Sequence, residues 1–462
     1  MKIRLLLLIG IFGLLVYSCK MPGGDSANYP TREFWAQDTI DNSYYQVTAE
    51  LLYRGVYCTI WAERGSGVTA STAQAVGREY DTTIYPKMID AFGDKYLVPL
   101  ANGVTVEFNT MEQADLDGDR DGKLCILLLD IKDSYQNAND GYVEGYFADG
   151  NFSSKSQNPY SNECDMIYVD TNPGDPGSPT SNQTLAHEMQ HLMNHVTSSK
   201  KRAKSIDLWI NEGLSCAAEW VCFGGHSGRL ANYNDNPSGL LGKGNNFFTW
   251  DNRTTESPIA NLDDYSTAYL FFQWLRLQSG GTAIYKDIIT SNHVDHQAVT
   301  TAANKFMPDQ GYSDWAVLLK TWLAANYIQA NTGPYGYRGD SALNNNITRH
   351  FAPAGQTNIS LYPGEGLFSK TATAIPMPSQ GTHIRYAGLS ASGEVSDTLT
   401  FVNGVLLTYN VDPNIYGDTE DGTTTGLASV GMSAYGMPTG PYKICWTSML
   451  MQNESMQVVI NE

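Results

Sequence analysis

The chain has 462 residues, room for two or three folded domains. Its apolar and charged fractions, 42% and 17%, are those of a folded, water-soluble protein. Asp and Glu outnumber Lys and Arg by 48 to 29, and the net charge of −19 excludes the basic surface that a nucleic-acid partner needs, while leaving peptide substrates open.

The first predicted element is a targeting segment. Lys2 and Arg4 precede the apolar run 5–16, which closes on Val16-Tyr17-Ser18-Cys19. A Cys behind a small residue at the end of such a run resembles a bacterial lipobox. That implies a signal peptide over 1–18 and export with a lipid anchor at Cys19, on the outer membrane or cell surface. Simple secretion with cleavage nearby is the alternative. No later run approaches the roughly 18 apolar residues that span a bilayer. Residues 19–34, polar and broken by Gly and Pro, read as a tether. Of the seven Cys, six remain once Cys19 is set aside. An even number in an exported chain permits disulfides without fixing a pairing. Cys216 and Cys222 would sit about 9 Å apart along one helix, too far to bridge. Cys125 and Cys164 read as buried thiols in neighbouring strands.

A first folded domain is expected over 35–350. Alternating apolar and polar residues over Tyr45–Ala62 predict strands of a first sheet. Ser71–Phe92 reads as a helix whose core face is Val76, Tyr80, Ile84, Met88 and Phe92. Then comes an acidic run in which Asp115, Asp117, Asp119 and Asp121 alternate with turn residues. Hard oxygen ligands at every second position suit Ca2+, although counted from Asp117 the twelfth position is Leu128 and not the Glu of an EF-hand. The other reading is an acidic turn ahead of a strand. Leu124–Ile131 and Met166–Asp170 predict buried strands, with Gly145-Tyr146-Phe147 as an edge strand between them, and 148–162 and 171–182 as loops.

The stretch 181–220 carries the strongest chemistry. Pro179-Thr180-Ser181-Asn182 offers capping side chains, and no Gly or Pro interrupts 183–196. Leu185, Met189, Leu192, Met193 and Val196 recur at helical spacing. On that helix His187 and His191, four apart, share a face. Two imidazoles so spaced suit a tetrahedral zinc, which also accepts a carboxylate oxygen. Glu188 lies beside that face, within reach of a water at the metal. The bland reading, two interior histidines, is weakened by a second motif about twenty residues on, Trp209-Ile210-Asn211-Glu212-Gly213-Leu214-Ser215, on a helix predicted to start near Asp207. His195 lies about 12 Å along the axis from His187 and reads as a half-exposed helix residue.

Residues 222–255, rich in Gly and Asn, predict a loop, and 264–272 open a third helix, with 283–330 helical beyond it. His226, His293 and His296 have weaker claims to a site. Past residue 351 the runs Arg385–Tyr386, Thr398–Val402, Val405–Val411, Tyr442–Trp446 and Gln457–Ile460, separated by turn residues, predict a small β-sandwich over 351–462.

His-Glu-x-x-His followed by Asn-Glu-x-x-Ser resembles the gluzincin, thermolysin-like metallopeptidases. From about Val47 to Gly280 the chain resembles the hyicolysin family of bacterial neutral zinc peptidases, through DGDRDGKLCILLLDI, EGYF, CDMIYVDT, LAHEMQHLMN, WINEGLSCAAE and YSTAYLFFQWL. The resemblance implies an α+β fold, a thermolysin-like catalytic domain of mixed sheet plus helical lobe. It implies Zn2+ held by His187, His191 and Glu212, with Glu188 as general base. It also implies that the Gly145–Phe147 edge binds an extended substrate by strand addition. Tyr265-Ser266-Thr267-Ala268 is similar to the Tyr-x-x-Gly/Ala segment of aminopeptidase-type gluzincins, whose Tyr polarises the tetrahedral intermediate. The other reading of Tyr265 and Tyr269 is that both cap a core helix. Where thermolysin has a supporting Asp this chain has Cys216, which leaves Glu219 as the candidate support for a zinc-bound His, against an exposed helical Glu. The aminopeptidase Gly-x-Met-Glu-Asn segment is absent, so the expectation is an endopeptidase acting on proteins or peptides. The competing class is a surface adhesin on a peptidase-like scaffold.

Overall fold

A computed structural model of the chain describes residues 29–99, 104–114, 122–137, 141–200, 205–225, 227–236, 239–248, 260–353, 358–413, 431–434 and 456–459. The targeting segment with Cys19, most of the tether, the acidic run Asp115 to Asp121, His226, Cys445 and the run 442–446 lie outside these residues. The first half holds strands β1 (Thr31–Gln37), β2 (Tyr44–Arg54) and β3 (Cys58–Glu63), then helices α1 (Ala70–Glu79) and α2 (Tyr85–Phe92), joined by one π-helical turn. The hairpin β4 (Lys95–Pro99) and β5 (Thr105–Asn109), the short α3 (Thr110–Ala114), and β6 (Leu124–Leu129), β7 (Val143–Phe147) and β8 (Met166–Asp170) follow. The helical part is α4 (Pro179–Asn194), α5 (Leu208–Phe223), α6 (Ser227–Asp235), α7 (Ala260–Ser279), α8 (Ala283–Ile289), α9 (His296–Phe306) and α10 (Trp315–Ile328). Last come β9 (Asn358–Leu361), β10 (Gly366–Thr371), β11 (Ile384–Leu389), β12 (Val395–Ser396), β13 (Gly404–Asn410), β14 (Gly431–Ala434) and β15 (Met456–Val459).

The main sheet is mixed, in the order β1-β2-β3-β6-β8-β7-β14. β3, β6 and β8 run parallel, and the outer pairs are antiparallel. β6 is Leu-Cys-Ile-Leu-Leu-Leu and wholly buried, as expected of a parallel strand covered on both faces. Its side chains alternate. Leu124, Ile126 and Leu128 join the large core shared with the helices, while Cys125, Leu127 and Leu129 join a second core with Phe34, Val47, Tyr146 and Tyr168. The helix α4 packs on the first of these faces through Leu185, Met189, Leu192 and Met193, none more than 1% exposed.

Several expectations are corrected. Gly145-Tyr146-Phe147 is not an edge: β7 pairs with β8 on one side and β14 on the other. The region read as a loop after Cys222 contains α6, whose Arg229, Asn232 and Tyr233 are buried. Its Gly and Asn hid about two and a half turns of helix held by polar side chains. Among the described residues of the C-terminal part, β10-β13-β11-β12 form an antiparallel sheet that packs on α10, and β9–β15 are a small added pair. Phe368, Leu389 and Leu407 there belong to the same core as α10. The five cysteines described form no disulfide with one another. Among the described residues no helix is long and apolar enough to cross a membrane.

Candidate metal centre

Ser178 caps α4, its hydroxyl accepting from the Ser181 N–H at 3.2 Å, and Pro179 takes the first helical position. α5 starts after Asp207 and ends at Gly224, in the left-handed conformation. The two helices pack on each other over their length. The residue after Glu212 explains how close α5 also comes to α7: a Cβ on Gly213 would lie 2.1 Å from the Phe272 ring. Glycine is the residue that lets the two helices meet there.

His187, Glu188, His191 and Glu212 are 0–3% exposed. His187 Nε2 lies 3.3 Å and His191 Nε2 3.4 Å from one oxygen of Glu212, Oε2. None of these three atoms has a hydrogen-bond partner among the described residues, nor has either oxygen of Glu188. Buried polar atoms are rarely left so. Donors set about 2.0–2.1 Å from the centre of a tetrahedron stand about 3.3–3.4 Å from one another. Both distances from Glu212 Oε2 therefore match the separation of two ligands on one zinc.

The far sides of both rings are held. His187 Nδ1 is 2.8 Å from Glu219 Oε1, and His191 Nδ1 is 3.0 Å from Asn211 Oδ1 and 3.1 Å from Ser215 Oγ. With Nδ1–H donating outward, each Nε2 presents its lone pair inward. Glu219 is fully buried and also accepts from Arg229, Nη2 to Oε1 at 2.7 Å and Nε to Oε2 at 3.2 Å. The reading of Glu219 as an exposed surface residue is thereby overturned. His187, Cys216 and Glu219 also approach within 4.8 Å of one another, but the Glu219 carboxylate already serves His187 and Arg229. That trio supports the centre and does not form a second one.

Electrostatics agree with a cation site. Burial disfavours charge on His187, yet Cys216, Glu212 and Glu219 raise its proton affinity well above normal. Burial also pushes Glu212 up, but His191 and His187 outweigh it and hold its carboxyl at about 2. Glu188, chiefly through burial, is pushed up to about 7. When ionised, the three buried carboxylates Glu188, Glu212 and Glu219 face one buried guanidinium, Arg229. The two remaining charges are those that protons on His187 and His191, or a divalent cation in their place, would balance.

Tyr265 reaches the same place. It is 1% exposed, its ring centroid is 6.1 Å from that of His187, and the Arg229 guanidinium stacks on it at 4.8 Å. Tyr269, one turn on, is buried as well. His195 is 16% exposed at its side chain and sits between Phe147 and Phe152. His293 is exposed, and His296 packs on Trp315.

No protein-family model matches the chain. It is 26% identical over 359 residues to the neutral metalloprotease ShpI of Staphylococcus hyicus, an alignment that covers 75% of this chain and 73% of that protein. The similarity supports a metalloprotease family. A metal is the component such a centre requires, and the buried His and Glu atoms described above are the donors this chain offers for it.

Sequence reasoning missed Arg229, Asn211 and Ser215 as parts of this site. A signal for two of them was present. Asn211, Ser215 and Glu219 recur every four residues in a helix that also buries Trp209, Ile210, Leu214, Ala217 and Ala218. A polar stripe on a buried helix needs partners, because unpaired burial is costly.

Proposed function

We propose that this chain is a zinc-dependent endopeptidase of gluzincin type, with His187, His191 and Glu212 as zinc ligands and Glu188 as general base. The observation that carries the reading is the convergence of three buried, otherwise unpartnered donor atoms, His187 Nε2, His191 Nε2 and Glu212 Oε2. Zinc bound there lowers the pKa of a water to about 7 and polarises a carbonyl. Glu188, whose own affinity for a proton is raised to about 7, is matched to take a proton from water and pass it to a leaving amine. Tyr265 is assigned to hydrogen-bond the oxyanion, and Glu219 and Asn211 to orient the imidazoles. The acidic net charge of −19 places no demand on the peptide substrate. Export and anchoring at Cys19 complete the reading, and detergent-phase partitioning that survives Cys19→Ser in full would refute that anchor.

Glu188→Gln tests the assignment. The amide is isosteric and cannot accept the proton. The expected variant keeps its fold and its zinc and loses most hydrolysis of casein. Turnover near that of the wild type would refute the role of Glu188.

A further inference from the structure

The outer side of β7 is occupied. β14 pairs with it antiparallel, Gly431 opposite Phe147, Met432 opposite Tyr146, Ser433 opposite Gly145 and Ala434 opposite Val143, with a register shift between Ser433 and Ala434. On its inner side the same strand pairs with β8, Gly145 opposite Val169. Gly145 is also where β7 meets α4. A Cβ there would lie 2.9 Å from Thr184 Cγ2 and 3.6 Å from Glu188 Cγ. β14 itself contacts α4. Paired strands lie about 4.8 Å apart. The backbone at Ser433 therefore runs one strand spacing beyond Gly145, the residue of β7 next to Glu188.

An extended chain on a sheet edge is held by backbone hydrogen bonds, which any sequence supplies. The outer edge of β7, beside Glu188, offers such hydrogen bonds, and one segment of this chain already lies on it. We propose that residues 431–434 are an intramolecular occupant of that edge, taking the strand position a peptide substrate takes, so that a peptide binds only when they leave. The inference rests on the endopeptidase reading for the identity of the competitor. Four residues form a short strand, and departure is expected to be frequent. If the edge is open about one-tenth of the time, an external peptide binds about tenfold more weakly than to an open edge. Covalent linkage favours the occupant over a free peptide.

The test uses the full chain and readouts that need no hydrolysis. Proline has no N–H to give to a ladder. Partners alternate along an antiparallel pair, so the double change Met432→Pro and Ser433→Pro removes whichever N–H faces β7. In a Glu188→Gln background, a fluorescein-labelled peptide of residues 428–437 is expected to bind the double variant at least tenfold more tightly than its parent. Amide hydrogen exchange over 143–147 is expected to rise at least tenfold in the same variant. Equal peptide affinity, or unchanged exchange, overturns the proposal. Should the double variant not fold, the unsubstituted chain decides: slow exchange of the outward amides of β7 supports the occupant, and exchange as fast as at a bare sheet edge overturns it. Neither readout depends on catalysis. Failure here leaves the zinc reading standing, and failure of hydrolysis leaves this proposal standing.

Discussion

Tyr265 is the residue whose role the site argues most narrowly. Its ring is buried between His187 and Arg229, so the phenol is fixed by packing before any substrate arrives. A donor that meets the oxyanion more strongly than the ground-state carbonyl changes kcat and leaves KM little altered. Tyr265→Phe removes only the hydroxyl and is expected to lower kcat on the order of 10²–10³-fold, with zinc retained. Tyr269→Phe, one turn on, is the control, and steady-state kinetics on one quenched peptide compares them. A reversed result moves the role to Tyr269. At this scale the sequence was informative where the chemistry is local. His187 and His191 are four apart on one helix, and spacing alone puts their rings together. Glu219 is 32 residues from His187, and Arg229 reaches Glu219 from a different helix. No spacing rule joins those residues, because the packing of α4, α5 and α6 brings them together.

At the scale of elements, helix contacts position the proposed ligands. α5 must lie against α4 to aim Glu212 and against α7 to aim its own backbone, and Gly213 marks the tightest point. Gly213→Ala forces a methyl into the Phe272 ring. Overpacking of this kind costs about 1–3 kcal/mol. A lower urea midpoint with an unchanged slope is the expected result, together with reduced activity as Glu212 is displaced. An unchanged midpoint would mean that the two helices are not in contact as described. The helices α1 and α4 were legible because each buries a periodic face, and the strands β6 and β8 because each is a short, continuous apolar run. α6 was not, because Arg229, Asn232 and Tyr233 hold it through an ion pair and hydrogen bonds, which leave no apolar period in Ser-Gly-Arg-Leu-Ala-Asn-Tyr-Asn-Asp. Nor was the pairing of β14 with β7, which joins segments nearly 290 residues apart. Long-range pairing depends on which edge is free, a property of the assembled sheet.

For the whole molecule, one mixed sheet carries two cores, and the helical layer on one of them holds the candidate metal site. The α+β class was readable from runs of strands followed by runs of helices. The second β region was readable as strands, but its packing partner, α10, was not. The central claim is that this assembly closes on one zinc ion. Elemental analysis of the purified wild type and of Glu212→Ala, each dialysed against the same buffer, measures it directly. About one zinc per chain in the wild type and a large loss in Glu212→Ala is the result expected of three converging protein ligands. Full zinc retention in Glu212→Ala, or a wild type that takes up no zinc, would contradict the account.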